Sequence, residues 1–203
     1  MFDEEPTKKV PDHLNDPVDV VMYKTSSLLA PFFKKTCHTP NTLTTYSLLT
    51  GLIACYGLFI GRLEIFIIFF VISFFFDCFD GYFARRYGMT SKGGDTYDHV
   101  KDLAIAIVIL VVVFWKYRQV VTLPILLVMA LLFALCSVHN GCQQKYFNEQ
   151  KGGDQNDQAM DMFQCMCRDT ADLKYTRFFG PGMFMVFTII AISYVWAKKY
   201  KLI

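Results

Sequence analysis

"FFFDCFDGYFARRYGMTSKGGDTYDHVKDLAIAIVILVVVFW" runs from Phe74 to Trp115. It begins and ends in apolar runs and holds Asp77, Asp80, Asp95, Asp98 and Asp102 between them. The flanking runs, residues 65–76 and 103–115, are each too short to cross a bilayer, which takes about 20 residues. Each helix must therefore continue through its acids, the first as far as Ala84 and the second from near Gly94. With a rise of about 1.5 Å per residue, Asp77 then lies roughly 13 Å along the helix from Arg86. Asp98 and Asp102 enter the next helix from the same side. One Asp at the centre of a spanning helix costs about 2.5–3.5 kcal/mol, so acids placed here call for a chemical reason.

The rest of the chain reads in the same terms. A hydrophobic share of 54% exceeds that of soluble domains, and charged residues are scarce at 19%. A net charge of +2 gives no footprint for nucleic acid. Residues 1–15 read as a loose polar segment with no apolar leader. Asp16 and Pro17 then mark a helix start, and Val18, Met22, Leu29 and Phe32 or Phe33 follow at near-helical spacing. Lys34 and Lys35 end this stretch, which reads as an amphipathic helix in the membrane interface. Thr39 and Pro40 open a second helix with a span at 43–60. Further spans fall at 120–138 and 178–197, the last interrupted early by Gly180-Pro181-Gly182. Residues 139–177 read as polar loop, clearest at "NEQKGGDQNDQ".

The expected fold is an all-α polytopic membrane helical bundle with about five to six transmembrane helices. Five are found, together with the N-terminal interfacial helix. Residues 1–38 form the N-terminal segment and 39–203 the transmembrane domain. With the N-terminus in the cytosol, the cytosolic segments carry 14 of the 20 Lys and Arg, as the positive-inside bias requires. The acids then face the cytosol. Among seven cysteines, Cys55, Cys78 and Cys136 read as small hydrophobes, and no disulfide framework is expected.

Spacing places the acids on two stripes. Asp77, Asp80, Gly81 and Ala84 fall at i, i+3, i+4 and i+7, and Gly94, Asp98 and Asp102 at i, i+4 and i+8. Two such helices joined by a short loop bring four carboxylates together. Like charges so close need a counter-charge, and hard oxygen ligands suit Mg²⁺, Mn²⁺ or Ca²⁺. Gly81, Ala84 and Gly94 leave room for a ligand, and Arg85 suits phosphate oxygens. Intramembrane acids also mark ion paths, so a divalent-cation channel or transporter is the alternative. Acids at one face only, and the purpose left to Arg85, weigh against it.

These residues resemble the signature D-x2-D-G-x2-A-R-x8-G-x3-D-x3-D of the CDP-alcohol phosphatidyltransferase family. It reads here as Asp77, Asp80, Gly81, Ala84, Arg85, Gly94, Asp98 and Asp102, with every spacer of the right length. "TPNTLT" looks like the family's Pro-Asn-x-x-Thr entry to the first span. The resemblance implies a phospholipid-synthesising transferase that moves a substituted phosphate group from a CDP-linked donor to an alcohol, releasing CMP. One of the two substrates would be a lipid. It implies a two-metal site of Mg²⁺ or Mn²⁺ on Asp77, Asp80, Asp98 and Asp102, with Asp98 and Asp102 catalytic and Asp102 shared with base catalysis. Gly81, Ala84, Arg85 and Gly94 would line the CDP pocket. A homodimer is one oligomeric option, and the endoplasmic reticulum is the expected membrane if the source is eukaryotic. Thr45, Tyr46 and Ser47 stand where members using phosphorylated acceptors carry an Arg. This weighs against inositol phosphate or glycerol phosphate as acceptor, and leaves CDP-diacylglycerol with serine or inositol, or CDP-choline or CDP-ethanolamine with diacylglycerol.

Overall fold

The computed structural model describes residues 8–151, 167 and 169–202. Six long helices make a bundle without strands among these residues. They are α1 (Pro17–Lys35), α2 (Pro40–Ile60), α3 (Leu63–Arg86), α4 (Lys92–Tyr117), α5 (Leu123–Lys151) and α7 (Pro181–Lys199). A single helical turn, α6 (Leu173–Thr176), lies between 3-10 turns at Thr170–Asp172 and Arg177–Phe179. By length and composition three stretches can cross a membrane: Pro40–Ile60, Leu123–Gln150 and Thr170–Lys199. The motif helices α3 and α4 have 24 and 26 residues, and charged side chains interrupt their apolar runs.

The starts of the helices follow from the sequence. Asp16 accepts from the N–H of Val18 at 2.7 Å, and Thr39 caps α2 with Pro40 at its first position. Ser91 accepts from the N–H of Gly94 at 3.1 Å and starts α4 two residues before the expected point. Helix α2 ends at Gly61 in the left-handed conformation, with φ 84°. Its carbonyl ends are bonded from two neighbours: Tyr117 donates to Leu58 O at 3.0 Å, and Trp196 Nε1 to Gly61 O at 2.9 Å. Gly61→Ala places a side chain in the left-handed region and against Tyr200. It should destabilise the detergent-solubilised protein by about 1–2 kcal/mol, read as a lower melting temperature.

Close packing centres on α2, which lies along α3 and also touches α4. Ser47, Gly51 and Ala54 form a stripe of small residues that lets the backbones approach. A Cβ on Gly51 would lie 2.9 Å from Ile105 and 3.0 Å from Ser73. Ser47 and Ser73 exchange hydrogen bonds to each other's carbonyl at 2.9 and 2.8 Å, tying α2 to α3. Apolar side chains fill both ends. Leu43, Phe79, Tyr82 and Phe83 pack beside Ala30 of α1, while Phe66, Val112, Ile192 and Val195 pack where the other ends of the spans meet.

Helix α1 leaves Val21, Leu28 and Phe32 exposed and lies against α3 and α7. That unpartnered apolar face, flanked by Lys24 and Lys35, suits a membrane interface. Its first turn is held by one carboxylate used twice. Asp16, fully buried, also accepts from the N–H of Met183 at 2.8 Å and so caps α7, whose own first residues offer no side-chain cap. Gly180 and Gly182 make room for it, since a Cβ on Gly180 would lie 2.7 Å from Asp16 Oδ2. Burial pushes the Asp16 carboxyl up, and the N–H bonds from Met183, Val18 and Asp19 oppose that shift.

Three sequence expectations need correction. Residues 139–151 continue α5 as helix, and Cys142, Gln144 and Phe147 within it are buried. Residues 152–158, the rest of the "NEQKGGDQNDQ" stretch, lie outside the described residues. The chain from Lys8 to Asn15 is not loose. Val10 is buried against Cys142, Cys167 and Leu173, and Asn15 accepts from Gln143 at 2.8 Å. Finally, Cys142 and Cys167 form a disulfide with a Cα–Cα distance of 5.1 Å. Cys55, Cys78 and Cys136 are free and buried, as their apolar surroundings predict.

Candidate functional site

The site lies where α3 ends and α4 begins. One carboxylate oxygen from each of Asp77, Asp98 and Asp102 falls within 4.8 Å of the others. Asp77 comes from α3, and Asp98 and Asp102 from successive turns of α4. The side chains of Asp77 and Asp98 are partly buried, whereas that of Asp102 is 60% exposed and forms the open rim.

Asp80 is placed differently. It lies one turn further along α3, buried, and its Oδ2 accepts from Thr44 Oγ1 at 2.5 Å. It is not among the three acids whose oxygens cluster. Thr44 is the last residue of the Pro-Asn-x-x-Thr entry, and its hydroxyl also reaches Pro40 O at 3.1 Å. Thr44→Val keeps the shape and leaves a buried Asp80 oxygen without its donor. The expected loss is about 1–3 kcal/mol, read from thermal unfolding, with Thr44→Ser restoring most of it.

The small residues of the signature sit beside the acids. A Cβ on Gly81 would stand 3.2 Å from Nη1 of Arg85, so the guanidinium lies across the glycine. A Cβ on Gly94 would stand 3.3 Å from Asn41 Oδ1, so α2 reaches the start of α4. Ala84 and Gly94 are both half-buried. Arg86 turns the other way, donating to Ser27 O at 3.2 Å and Tyr82 Oη at 2.9 Å, and fastens α1 to α3.

The most informative residue was passed over in the sequence. Lys101, with a side chain only 1% exposed, sends its ammonium into the middle of the acids. It pairs with Asp77, with Asp98 Oδ1 at 3.0 Å and with Asp102 Oδ1 at 2.8 Å, and donates to Ser47 Oγ at 3.3 Å. The signal was present, because Lys101 stands three residues after Asp98 and shares its face.

The donor set fits a hard divalent cation. It consists of carboxylate oxygens alone, and Asp98 Oδ1 is buried with no hydrogen-bond donor despite its ion pair. Other polar and charged residues of the chain serve the scaffold. His139 is fully buried, with Nδ1 3.0 Å from Thr176 Oγ1 and Nε2 2.9 Å from Gln143 Nε2. Because that Gln143 nitrogen donates also to Asn15, the network assigns the His139 proton to Nδ1. Arg177 donates to His13 O, and Lys174 stands 4.7 Å over the Tyr175 ring.

Comparison with known proteins points the same way. The family model described as CDP-alcohol phosphatidyltransferase matches residues 37–199. No curated protein and no solved structure matches the chain. The match runs from just before α2 to the end of α7 and so includes both motif helices and the Pro-Asn-x-x-Thr entry. On that extent, the chain belongs to the CDP-alcohol phosphatidyltransferase family.

Proposed function

We propose that this protein is a divalent-metal-dependent enzyme of phospholipid synthesis, with Asp77, Asp80, Asp98 and Asp102 at its centre. Its family transfers a phosphate-linked group from a CDP-alcohol to an acceptor. The observation that carries the reading is the convergence of Asp77, Asp98 and Asp102 oxygens within 4.8 Å at the end of a membrane bundle. Asp77, Asp80, Asp98 and Asp102 would hold Mg²⁺ or Mn²⁺. The bound metal would offset the charge of the pyrophosphate and of the departing CMP.

The other roles belong to this chain's own side chains. Arg85 binds phosphate oxygens of the CDP group, over a floor cleared by Gly81, Ala84 and Gly94. Asp102, the most open of the clustered acids, takes the proton from the acceptor hydroxyl as its oxygen bonds to phosphorus. The bond from phosphorus to the CMP oxygen breaks, and CMP leaves. Lys101, lodged among the acids, argues against a cation path through the bundle.

Donor and acceptor are named by CMP release from purified protein in detergent with Mn²⁺ or Mg²⁺. One arm offers CDP-diacylglycerol with serine or inositol. The other offers CDP-choline or CDP-ethanolamine with diacylglycerol. Release with one pair is expected. A folded protein that releases no CMP with any pair and binds no CDP would sink the reading.

The proposed location is a membrane whose cytosolic face carries the acids, the endoplasmic reticulum if the source is eukaryotic. Lys and Arg placement supports it. The Cys142–Cys167 disulfide lies at the same end as the acids and suits an oxidising compartment instead. Labelling exposed Cys37 with an impermeant thiol reagent, in intact and in opened cells, decides between the two faces.

A further inference from the structure

Three carboxylates and one ammonium share a single volume here, with the fourth acid, Asp80, one turn away on Thr44. The signature accounts for the carboxylates and assigns nothing to Lys101. Its ammonium contacts Asp77, Asp98 and Asp102, the same three residues whose oxygens could enclose a metal ion. A hydrogen bond to Ser47 of α2 anchors it as well, so the amine is held from three helices. The side chain is 1% exposed.

We propose that Lys101 is a resident cation of the acidic cluster. It holds one of two cation positions, so the protein binds one divalent ion where the family pattern implies two. The inference rests on the transferase reading of the site. The charges support it. Four Asp and Lys101 sum to −3, so one divalent ion leaves −1, and a second would leave the site at +1 before substrate arrives. A fixed ammonium is also a point charge that lies in ion-pair range of all three acids at once. A divalent ion in that position would have to expel a buried side chain and break its bond to α2.

The test is a titration of the purified full chain in detergent with Mn²⁺ alone, followed by electron paramagnetic resonance. Wild type should bind one Mn²⁺ with an isolated-ion spectrum. Lys101→Met, which keeps the length and removes the charge, should bind two, with a spin-coupled spectrum. Its first ion should bind more than about tenfold tighter, since a nearby like charge is gone. A variant that folds only when Mn²⁺ is present supports the same assignment, because the ion then replaces the ammonium. Two coupled ions in wild type would overturn the proposal whatever the variant does, and would leave the transferase reading standing. One ion of unchanged affinity in both proteins would overturn it too. No Mn²⁺ bound by either protein in folded form overturns it together with the metal dependence proposed above. CMP release in the substrate assay judges the transferase reading separately.

Discussion

Asp102→Asn is expected to lower CMP release by about 10²–10⁴-fold, the contribution typical of a positioned general base. The argument starts from exposure. Among the three clustered acids, Asp77 and Asp98 are the more enclosed, and Asp102 is at the rim with 60% of its side chain open. A base must meet the acceptor hydroxyl and then pass the proton on to water, and the rim position allows both. Asn keeps the size and one oxygen but takes up no proton. Because Asp102 is also a proposed metal ligand, nucleotide binding is measured with CDP-choline or CMP at saturating Mn²⁺, where it should fall far less than CMP release. Loss of activity below about tenfold would remove Asp102 from the role and pass it to another group.

The second large effect concerns assembly. Asp16→Ala should destabilise the solubilised protein by about 2 kcal/mol, near 1 kcal/mol for each helix cap removed. The side chain accepts from Val18 at the start of α1 and from Met183 at the start of α7. Asp16→Asn keeps one acceptor oxygen and turns the other into a donor, whereas each carboxylate oxygen accepts a helix N–H, Oδ1 from Val18 and Oδ2 from Met183. The amide should therefore keep one cap and melt between Ala and wild type. A melting temperature equal to that of wild type would show that a single cap is enough to hold the two helices.

Much of this was legible in the chain. Asp77, Asp80, Asp98 and Asp102 stood out because helical periodicity sorts them onto two stripes, and the short apolar runs forced those stripes into the bundle. Pro17 and Pro40 marked the starts of α1 and α2 correctly. What stayed hidden depends on partners far along the chain. Lys101 reads as a spacer until Asp77 of α3 and Ser47 of α2 close around it. Asp16 reads as an ordinary cap, since its second helix begins more than 160 residues later. Residues 139–151 look like loop by composition. They are helical because Val10, Cys167 and Leu173 cover part of their surface. The pairing of Cys142 with Cys167 follows no spacing rule.

Lys101 also bears on how the protein enters the bilayer. Helices α3 and α4 leave the ribosome as a hairpin, and their acids would resist partitioning into lipid by about 2.5–3.5 kcal/mol for each one near mid-membrane. An ammonium carried within the hairpin pairs with Asp77, Asp98 and Asp102 as soon as the two helices meet. The nascent chain can thus integrate in a membrane poor in free metal. On the proposed one-ion site, biogenesis would be uncoupled from metal supply, and the ion would be required only when substrate arrives.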